Sequence, residues 1–306
     1  MECAQRRDIR GLTAIALISL AGLAGCSGPE GIVWPISGDG ASDFPLSSTF
    51  GPRVRTEDQI YDFHRGIDIA AEVDSDVYAI AAGRVVQIQE NTSAGGMLVQ
   101  LEHPGPYYSN YIHLLDVDVD IGDEVDAGED IGDSGRASNG FAHLHLEIRK
   151  PGDTKNDCVH PLSVLPYEDT GAPSLTIDKV NIENPNAPIV TVTASVPARE
   201  LDLKSVTIAT YEAPPGLVLD DQMPLSEKTF DVDDWNRTYT ELDSDALIDT
   251  PNLDGIRVSP QKYNATMGTF SMELTFSKLV GPGSTGLRVK ATATDVRGNA
   301  FEVTSP

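Results

Sequence analysis

Apolar and polar residues alternate at period two along most of this chain, in short runs punctuated by turn residues. The segment "GFAHLHLEIRK", residues 140–150, shows the pattern clearly. As a strand it sends Leu144, Leu146 and Ile148 to one face and His143, His145 and Glu147 to the other. The runs "HRGIDIAA", "DVYAIAAGRVVQIQE", "GGMLVQLEH" and "SNYIHLLDV" precede it, and no helix-period stretch of useful length interrupts residues 44–165. This predicts an all-β domain over residues 44–167. Within it, "DVDVDIGDEVDA" reads as a strand with Asp116, Asp118 and Asp120 solvated and Val117, Val119 and Ile121 buried. A calcium-binding helix-loop-helix is excluded there, because its sixth and twelfth positions are Ile121 and Ala127 rather than Gly and Glu. "PYEDTGAPS" (166–174) reads as a linker. Beyond it, "APIVTVTASV", "LKSVTIATY", "FSMELTFSKL" and "LRVKATATD" again alternate at period two. A second β unit, a sandwich over residues 168–306, is the expectation.

The N-terminus breaks the pattern. Arg6, Arg7 and Arg10 give a basic start, and "GLTAIALISLAGLAG" follows as an apolar run too short to span a membrane comfortably. Residues 1–25 therefore read as a secretory signal and are left out of the fold. The run ends in "LAGC", which resembles the lipobox of bacterial lipoproteins. That resemblance implies cleavage before Cys26, lipidation of Cys26 and a membrane anchor in the cell envelope. Since Ser27 rather than Asp follows the cysteine, an outer-membrane anchor facing the periplasm is expected if the host has two membranes. Residues 26–43, rich in Gly, Ser and Pro, read as a tether from which Trp34 docks onto the domain. At the other end, "ATATDVRGNAFEV" (291–303) resembles the last hairpin of bacterial immunoglobulin-like modules, with Asp-x-x-Gly-Asn as its turn.

Composition narrows the chemistry. The formal net charge is -25 over 306 residues, so nucleic acid is an unsuitable partner. Removing residues 1–25 takes away three basic and two acidic groups and leaves only Cys26 and Cys158. With Cys26 lipidated, no intramolecular disulfide is available, and Cys158 reads as a small buried hydrophobe. The chain has six histidines, and all lie between residues 64 and 160. In "HRGID" a flat strand would hold His64 and Asp68 about 13 Å apart. Two ligands of one zinc lie about 3 Å apart, given bonds near 2 Å. The chain must curl between them, and Gly66 permits it. Adding His145 gives two imidazoles and one carboxylate, with a fourth tetrahedral position left for water, the arrangement of a catalytic zinc.

"HRGID", "YIHL" and "HLH", in that order, resemble the lysostaphin/LytM-type zinc endopeptidases of peptidoglycan. "FPLSSTFGPR" (44–53), "VYAIAAGRVV" (77–86) and "VDIGDEVDAGEDIGDSGRA" (119–137) extend the likeness to about 120 residues of the chain. The resemblance implies a LytM-type β-sheet/hammerhead peptidase domain and one Zn2+ per chain, held by His64, Asp68 and His145. It implies His113 and His143 as the catalytic histidines, and hydrolysis of peptide cross-links in peptidoglycan stem peptides. None of the five residues is substituted, unlike in members that have become regulators. Pro104 and Pro106 before "YIHL", and Asn139-Gly140-Phe141 before the histidine pair, alter loops around the groove and bear on substrate choice. Glu147 is expected either to orient a histidine or to be an ordinary solvated or salt-bridged glutamate. Surface or loop roles are expected for His103 and His160.

Two other readings compete. The segment "VYAIAAGRVV…GDEVDAGEDIG" also resembles biotinyl and lipoyl carrier domains, but these need a lysine at a hairpin tip and residues 1–149 contain none. The stronger alternative is a non-catalytic peptidoglycan-binding protein or a regulator of a separate cell-wall amidase. The sequence leaves open the bond cut, which histidine is the base, the role of residues 168–306 and the oligomeric state.

Overall fold

A computed structural model describes residues 31–36, 46–54, 61–105, 107–167, 169, 171–197, 201–214, 217–220, 222–241, 252–264, 266–283 and 286–305. The expected signal segment, Cys26 and most of the tether lie outside the described residues. The described end of the tether does pack against the chain. Trp34 and Ile36 are buried, Val33 N donates to Ile80 O, and Tyr78 N donates to Pro35 O.

Among the described residues, twelve strands make up the first part: β1 (Leu46–Ser48), β2 (Gly51–Val54), β3 (Tyr61–His64), β4 (Ile67–Ile69), β5 (Asp76–Tyr78), β6 (Gly83–Gln89), β7 (Met97–His103), β8 (Tyr107–Val117), β9 (Glu124–Val125), β10 (Asp130–Ser134), β11 (Leu144–Arg149) and β12 (Cys158–Val159). The main sheet runs β1-β4-β11-β8-β7-β6-β9, with β10 bridging β5 and β8, while β2 and β3 pair separately. The period-two pattern dictates which face is dry. Leu144, Leu146 and Ile148 are fully buried beneath β11, together with Ile67, Ile69, Val99, Leu101 and Tyr111. The expected alternation fails beyond β8. Val117 ends β8 and the chain then turns, with Asp120 N donating to Asp123 Oδ2, so Ile121 is 65% exposed instead of buried.

The second part holds β13 (Ser174–Asn181), β14 (Ile189–Pro197), β15 (Leu203–Glu212), β16 (Ser226–Asp231), helix α1 (Val232–Glu241), β17 (Asn252–Leu253), β18 (Ile256–Val258), β19 (Lys262–Asn264), β20 (Thr269–Phe276), β21 (Leu287–Asp295) and β22 (Ala300–Thr304). One sheet is ordered β13-β14-β20-β18-β17 with β19 on β20, the other β16-β15-β21-β22. Both contribute alternate apolar residues to the buried interior, among them Val190, Val192 and Leu274 from the first and Val206, Ile208 and Ala291 from the second. The predicted last hairpin is present. Asp295 Oδ1 accepts from the amides of Arg297 and Asn299, which closes the β21–β22 turn.

Helix α1 is the element the sequence pattern does not announce. Asp231 Oδ1 caps it by accepting from Asp233 N and Asp234 N. Val232 and Trp235 bury its short apolar face. Its polar groups reach back to the first part: Asp233 Oδ1 accepts from His160 N, and Asn236 Nδ2 donates to Lys155 O and Cys158 O. One continuous cluster of buried apolar side chains runs through both parts.

Candidate metal centre

The turn from β3 to β4 brings His64 and Asp68 together. A Cβ on Gly66 would lie 2.4 Å from Leu146 O and 2.7 Å from His145 Nε2. Glycine is thus demanded by the close approach of β11 rather than by an unusual backbone angle. Next along β4, Asp68 stands directly opposite His145 in the β4–β11 register. Strand pairing therefore sets a carboxylate beside an imidazole, and the tight turn folds the second imidazole onto them.

The resulting separations are short. His145 Nδ1 lies 2.8 Å from Asp68 Oδ1 and 3.0 Å from His64 Nε2, and His64 Nε2 lies 3.0 Å from Asp68 Oδ1. Backbone and side-chain partners fix which atoms face the cluster. His64 Nδ1 is 2.8 Å from Thr49 O, a pure acceptor, so Nδ1 carries the proton and Nε2 presents its lone pair. His145 Nε2 is 3.5 Å from Glu147 Oε1. Glu147 is itself held by Arg149 Nε at 3.0 Å and Nη2 at 2.5 Å, and by Asn110 Nδ2 at 3.0 Å. It is both a salt-bridged glutamate and the partner of a histidine, so its two expected roles coexist. Arg53 Nη1 approaches Asp68 Oδ2 at 3.5 Å, and Arg53 Nε approaches Asp62 at 3.4 Å.

Protonation follows from this packing. Burial, reinforced by the Arg53 charge, lowers the pKa of His64 to about 4, so it is a neutral ligand at pH 7. Burial also opposes charge on His145, but the hydrogen bonds to Asp68 and Glu147 outweigh it and raise that pKa to about 9. Burial would likewise raise Asp68, yet the two facing imidazoles hold its carboxyl well below the usual range. Two imidazole nitrogens and one carboxylate oxygen, all within 4.8 Å of one another, fit zinc by donor type and spacing.

Two further histidines line the same place. The β7–β8 register jumps from Leu98↔Ile112 to Met97↔Leu114, and His113 is the extra residue, at φ 70°. Such a bulge re-aims a side chain at the cost of local backbone strain. Gly96, at φ 71°, makes room for it: a Cβ there would lie 2.7 Å from the His113 carbonyl carbon. The His113 ring sits 4.7 Å from His143 and 5.9 Å from His145, centroid to centroid. His113 Nδ1 is 2.9 Å from Gly95 O, which fixes the proton there and leaves Nε2 as an acceptor. His143 precedes β11 and its Nε2 is 3.5 Å from Asp68 Oδ1. Burial lowers the pKa of both, to about 4 for His113.

The structure thus gathers His64, Asp68, His113, His143 and His145 into one cluster, while Cys26 lies outside the described residues. His103 and His160 do not join it, and both are buried rather than on the surface. Of the surface or loop roles expected for them, the loop placement holds for His160, which lies between β12 and the turn Pro161–Ser163, while His103 ends β7. His103 stacks on Tyr107, with Nδ1 3.0 Å from Ala82 O and Nε2 2.7 Å from Ser109 Oγ. His160 Nε2 lies 2.9 Å from Leu201 O, joining the two parts of the chain. The supporting groups Thr49, Gly95, Asn110 and Arg149 were not singled out from sequence. Two of them act through backbone carbonyls, which every residue has, so no residue type marks them.

Residues 62–158 match the family model described as Peptidase family M23. Uncharacterized lipoprotein YgeR of Escherichia coli is 31% identical over 103 residues, covering 34% of this chain and 39% of that protein. Murein hydrolase activator NlpD of Escherichia coli is 35% identical over 103 residues, covering 34% of this chain and 26% of that protein. The catalytic domain of lysostaphin from Staphylococcus simulans shares 26% identity at a TM-score of 0.37, covering 40% of this chain and 92% of that one. The chain spans well under half the length of the curated relatives it matches.

Proposed function

We propose that this chain, whose residues 62–158 form a Peptidase family M23 domain, is a zinc-dependent endopeptidase that hydrolyses peptide cross-links of bacterial peptidoglycan. The observation that carries the reading is the survival of the complete set. His64, Asp68 and His145 offer three facing ligand atoms, and His113 and His143 stand beside them with no metal-ligand role of their own. Zinc bound there supplies polarisation of the scissile carbonyl and acidifies a water molecule. The chain's own residues do the rest. Neutral His113, its Nδ1 proton tied to Gly95 O, presents Nε2 as acceptor for the water proton. His143, close to Asp68, is placed to stabilise or protonate the developing tetrahedral centre. Glu147 and Thr49 O hold the two ligand imidazoles in their tautomers.

In this reading residues 44–167 are the peptidase domain and residues 168–306 an immunoglobulin-like sandwich that packs on it. Cys26 carries the lipid that anchors the protein in the envelope, in the outer membrane where the host has two. The names of the lipoprotein relatives support the envelope placement. A second reading rests on the relative named a murein hydrolase activator: the domain would then regulate a separate hydrolase without cutting. Peptidoglycan digested by the purified zinc-loaded chain and analysed by mass spectrometry distinguishes them. New peptide ends that vanish with a chelator and return with zinc are expected. His113→Ala should keep zinc and lose about 10²–10⁴ in rate. Absence of new ends from several wall types, with one zinc bound per chain, would replace the first reading by the second.

A further inference from the structure

We propose that the second β unit positions the metal ligand His64, reaching it through the Leu201 carbonyl and Thr49. The inference rests on the reading of His64, Asp68 and His145 as the zinc ligands. His64 ends β3, and among the described residues β3 pairs with β2 alone, in a two-stranded ribbon separate from the main sheet. A lone two-stranded hairpin is marginal in water, so the end of β3 needs support from elsewhere. Thr49 is the nearest support. Its carbonyl accepts from His64 Nδ1 at 2.8 Å, and Ser48 Oγ stands 3.2 Å from the same nitrogen. Thr49 lies between β1 and β2 and belongs to neither of their ladders, so sheet pairing does not fix where its carbonyl points.

The second unit supplies that support along the stretch leading into His64. Thr49 Oγ1 donates to Leu201 O at 2.5 Å. Gln261 N donates to Pro52 O at 3.2 Å, and Tyr61 Oη to Val258 O at 3.4 Å. At Gly51 the approach is close enough that a Cβ would lie 3.1 Å from Gln261 Nε2 and 3.5 Å from Val232 Cγ2. The Leu201 contact differs from the others in its backbone. Leu201 is 1% exposed and sits at φ 51°, a left-handed conformation that a residue of its bulk rarely adopts. Strain of this kind persists where the surroundings over-determine it, and it clusters at functional sites. Here it accompanies a carbonyl aimed out of the second unit, which accepts from Thr49 Oγ1 and from His160 Nε2, the latter at 2.9 Å. The His160 ring packs 5.5 Å from Phe50, and Phe50 packs 5.0 Å from Phe63, the neighbour of His64.

Two hydrogen bonds thus join the second unit to a ligand imidazole, one through the Thr49 hydroxyl and one through the Thr49 carbonyl. Both groups sit on one residue, so releasing the hydroxyl frees the carbonyl to move. The partner on the far nitrogen of a ligand histidine sets its tautomer and ring orientation, and metal affinity follows from both. Thr49 and Leu201 are therefore positioning residues, and the second unit is part of the metal centre's support.

The test is competition of the zinc-loaded chain with a chromophoric chelator. Thr49→Val removes the hydroxyl and keeps the shape, while Leu201 O keeps its bond from His160. Zinc affinity should fall about 10–100-fold, and Thr49→Ser, which restores the hydroxyl, should come within about twofold of the parent. If Thr49→Val does not fold, Thr49→Ala carries the same expectation. Arg297→Ala removes a different bond from the second unit to the first part of the chain, Nη2 to Leu165 O at 2.7 Å, and should leave zinc affinity unchanged. Unchanged affinity in Thr49→Val, or an equal loss in Thr49→Ser or Arg297→Ala, overturns the proposal. A parent that binds no zinc would refute the ligand reading instead, and the positioning is then judged on His64 itself. Nitrogen NMR of labelled histidines should show its Nδ1 proton exchanging with water about tenfold faster in Thr49→Val than in the parent or Thr49→Ser; equal exchange overturns the proposal.

Discussion

Replacing Gly66 by alanine tests the claim that β11 is pressed against the β3–β4 turn and so sets the metal ligands. The added Cβ meets Leu146 O at 2.4 Å and His145 Nε2 at 2.7 Å, whereas real Cβ contacts essentially never fall below 3.0 Å. The strand must therefore retreat by at least about 0.6 Å, a distance set by the gap between those two limits. The retreat falls between Asp68 and His145, which are paired in register and joined at 2.8 Å. Overpacking of this kind costs about 1–3 kcal/mol, and loosening one strand hydrogen bond adds about 1 kcal/mol. For a chain of this size the sum, about 2–4 kcal/mol, lowers the melting point by about 5–15 °C. Zinc affinity should fall by about 10–100-fold, the range seen when a ligand's support is disturbed. Differential scanning calorimetry and competition with a chromophoric chelator measure the two effects. A variant that melts within about 2 °C of the parent and binds zinc equally would refute the argument. A large melting shift with unchanged zinc affinity would show that strand contact stabilises the fold without placing the ligands.

Three further outcomes are expected. Glu147→Gln keeps the shape of the side chain but weakens its hold on His145, so zinc affinity should fall by about 10–100-fold, measured by chelator competition. Asn236→Ala removes two hydrogen bonds from α1 to Lys155 O and Cys158 O; urea unfolding should show a loss of about 1–3 kcal/mol, with zinc affinity unchanged. The third concerns acid. Burial lowers the His160 pKa from 6.5 to about 3, so above pH 6.5 the histidine is neutral folded or unfolded and does not affect stability. Below pH 6.5 the unfolded chain gains a proton that the folded chain refuses. Stability then falls by up to about 1.4 kcal/mol per pH unit until about pH 3. Urea midpoints at pH 7 and pH 5 should differ less in His160→Gln than in the parent, and an equal difference would refute the assignment.

What the sequence made legible, and what it hid, follows from how far apart along the chain the causes lie. The face of β11 was readable because period-two alternation is a local property, and Leu144, Leu146 and Ile148 are buried as that alternation requires. The association of His64, Asp68 and His145 was readable because metal chemistry restricts residue type as well as spacing. Ile121 was misjudged because alternation says nothing about where a strand ends, and the Asp120–Asp123 turn ends it early. The burial of His103 and His160 was missed for a related reason. An isolated polar residue reads as surface unless its partner is known, and their partners, Ala82 O, Ser109 and Leu201 O, lie 21, 6 and 41 residues away. Helix α1 escaped notice because it is a single short element whose fit depends on Lys155, Cys158 and His160 in the other part of the chain. The same logic explains the backbone of His113. No property of "YIHL" reveals a positive φ, since the bulge arises from a register mismatch between β7 and β8. His113 was singled out by the family resemblance of "YIHL"; its aim is set by pairing with Leu98 and Met97 of β7, fifteen and sixteen residues upstream, and could not be read.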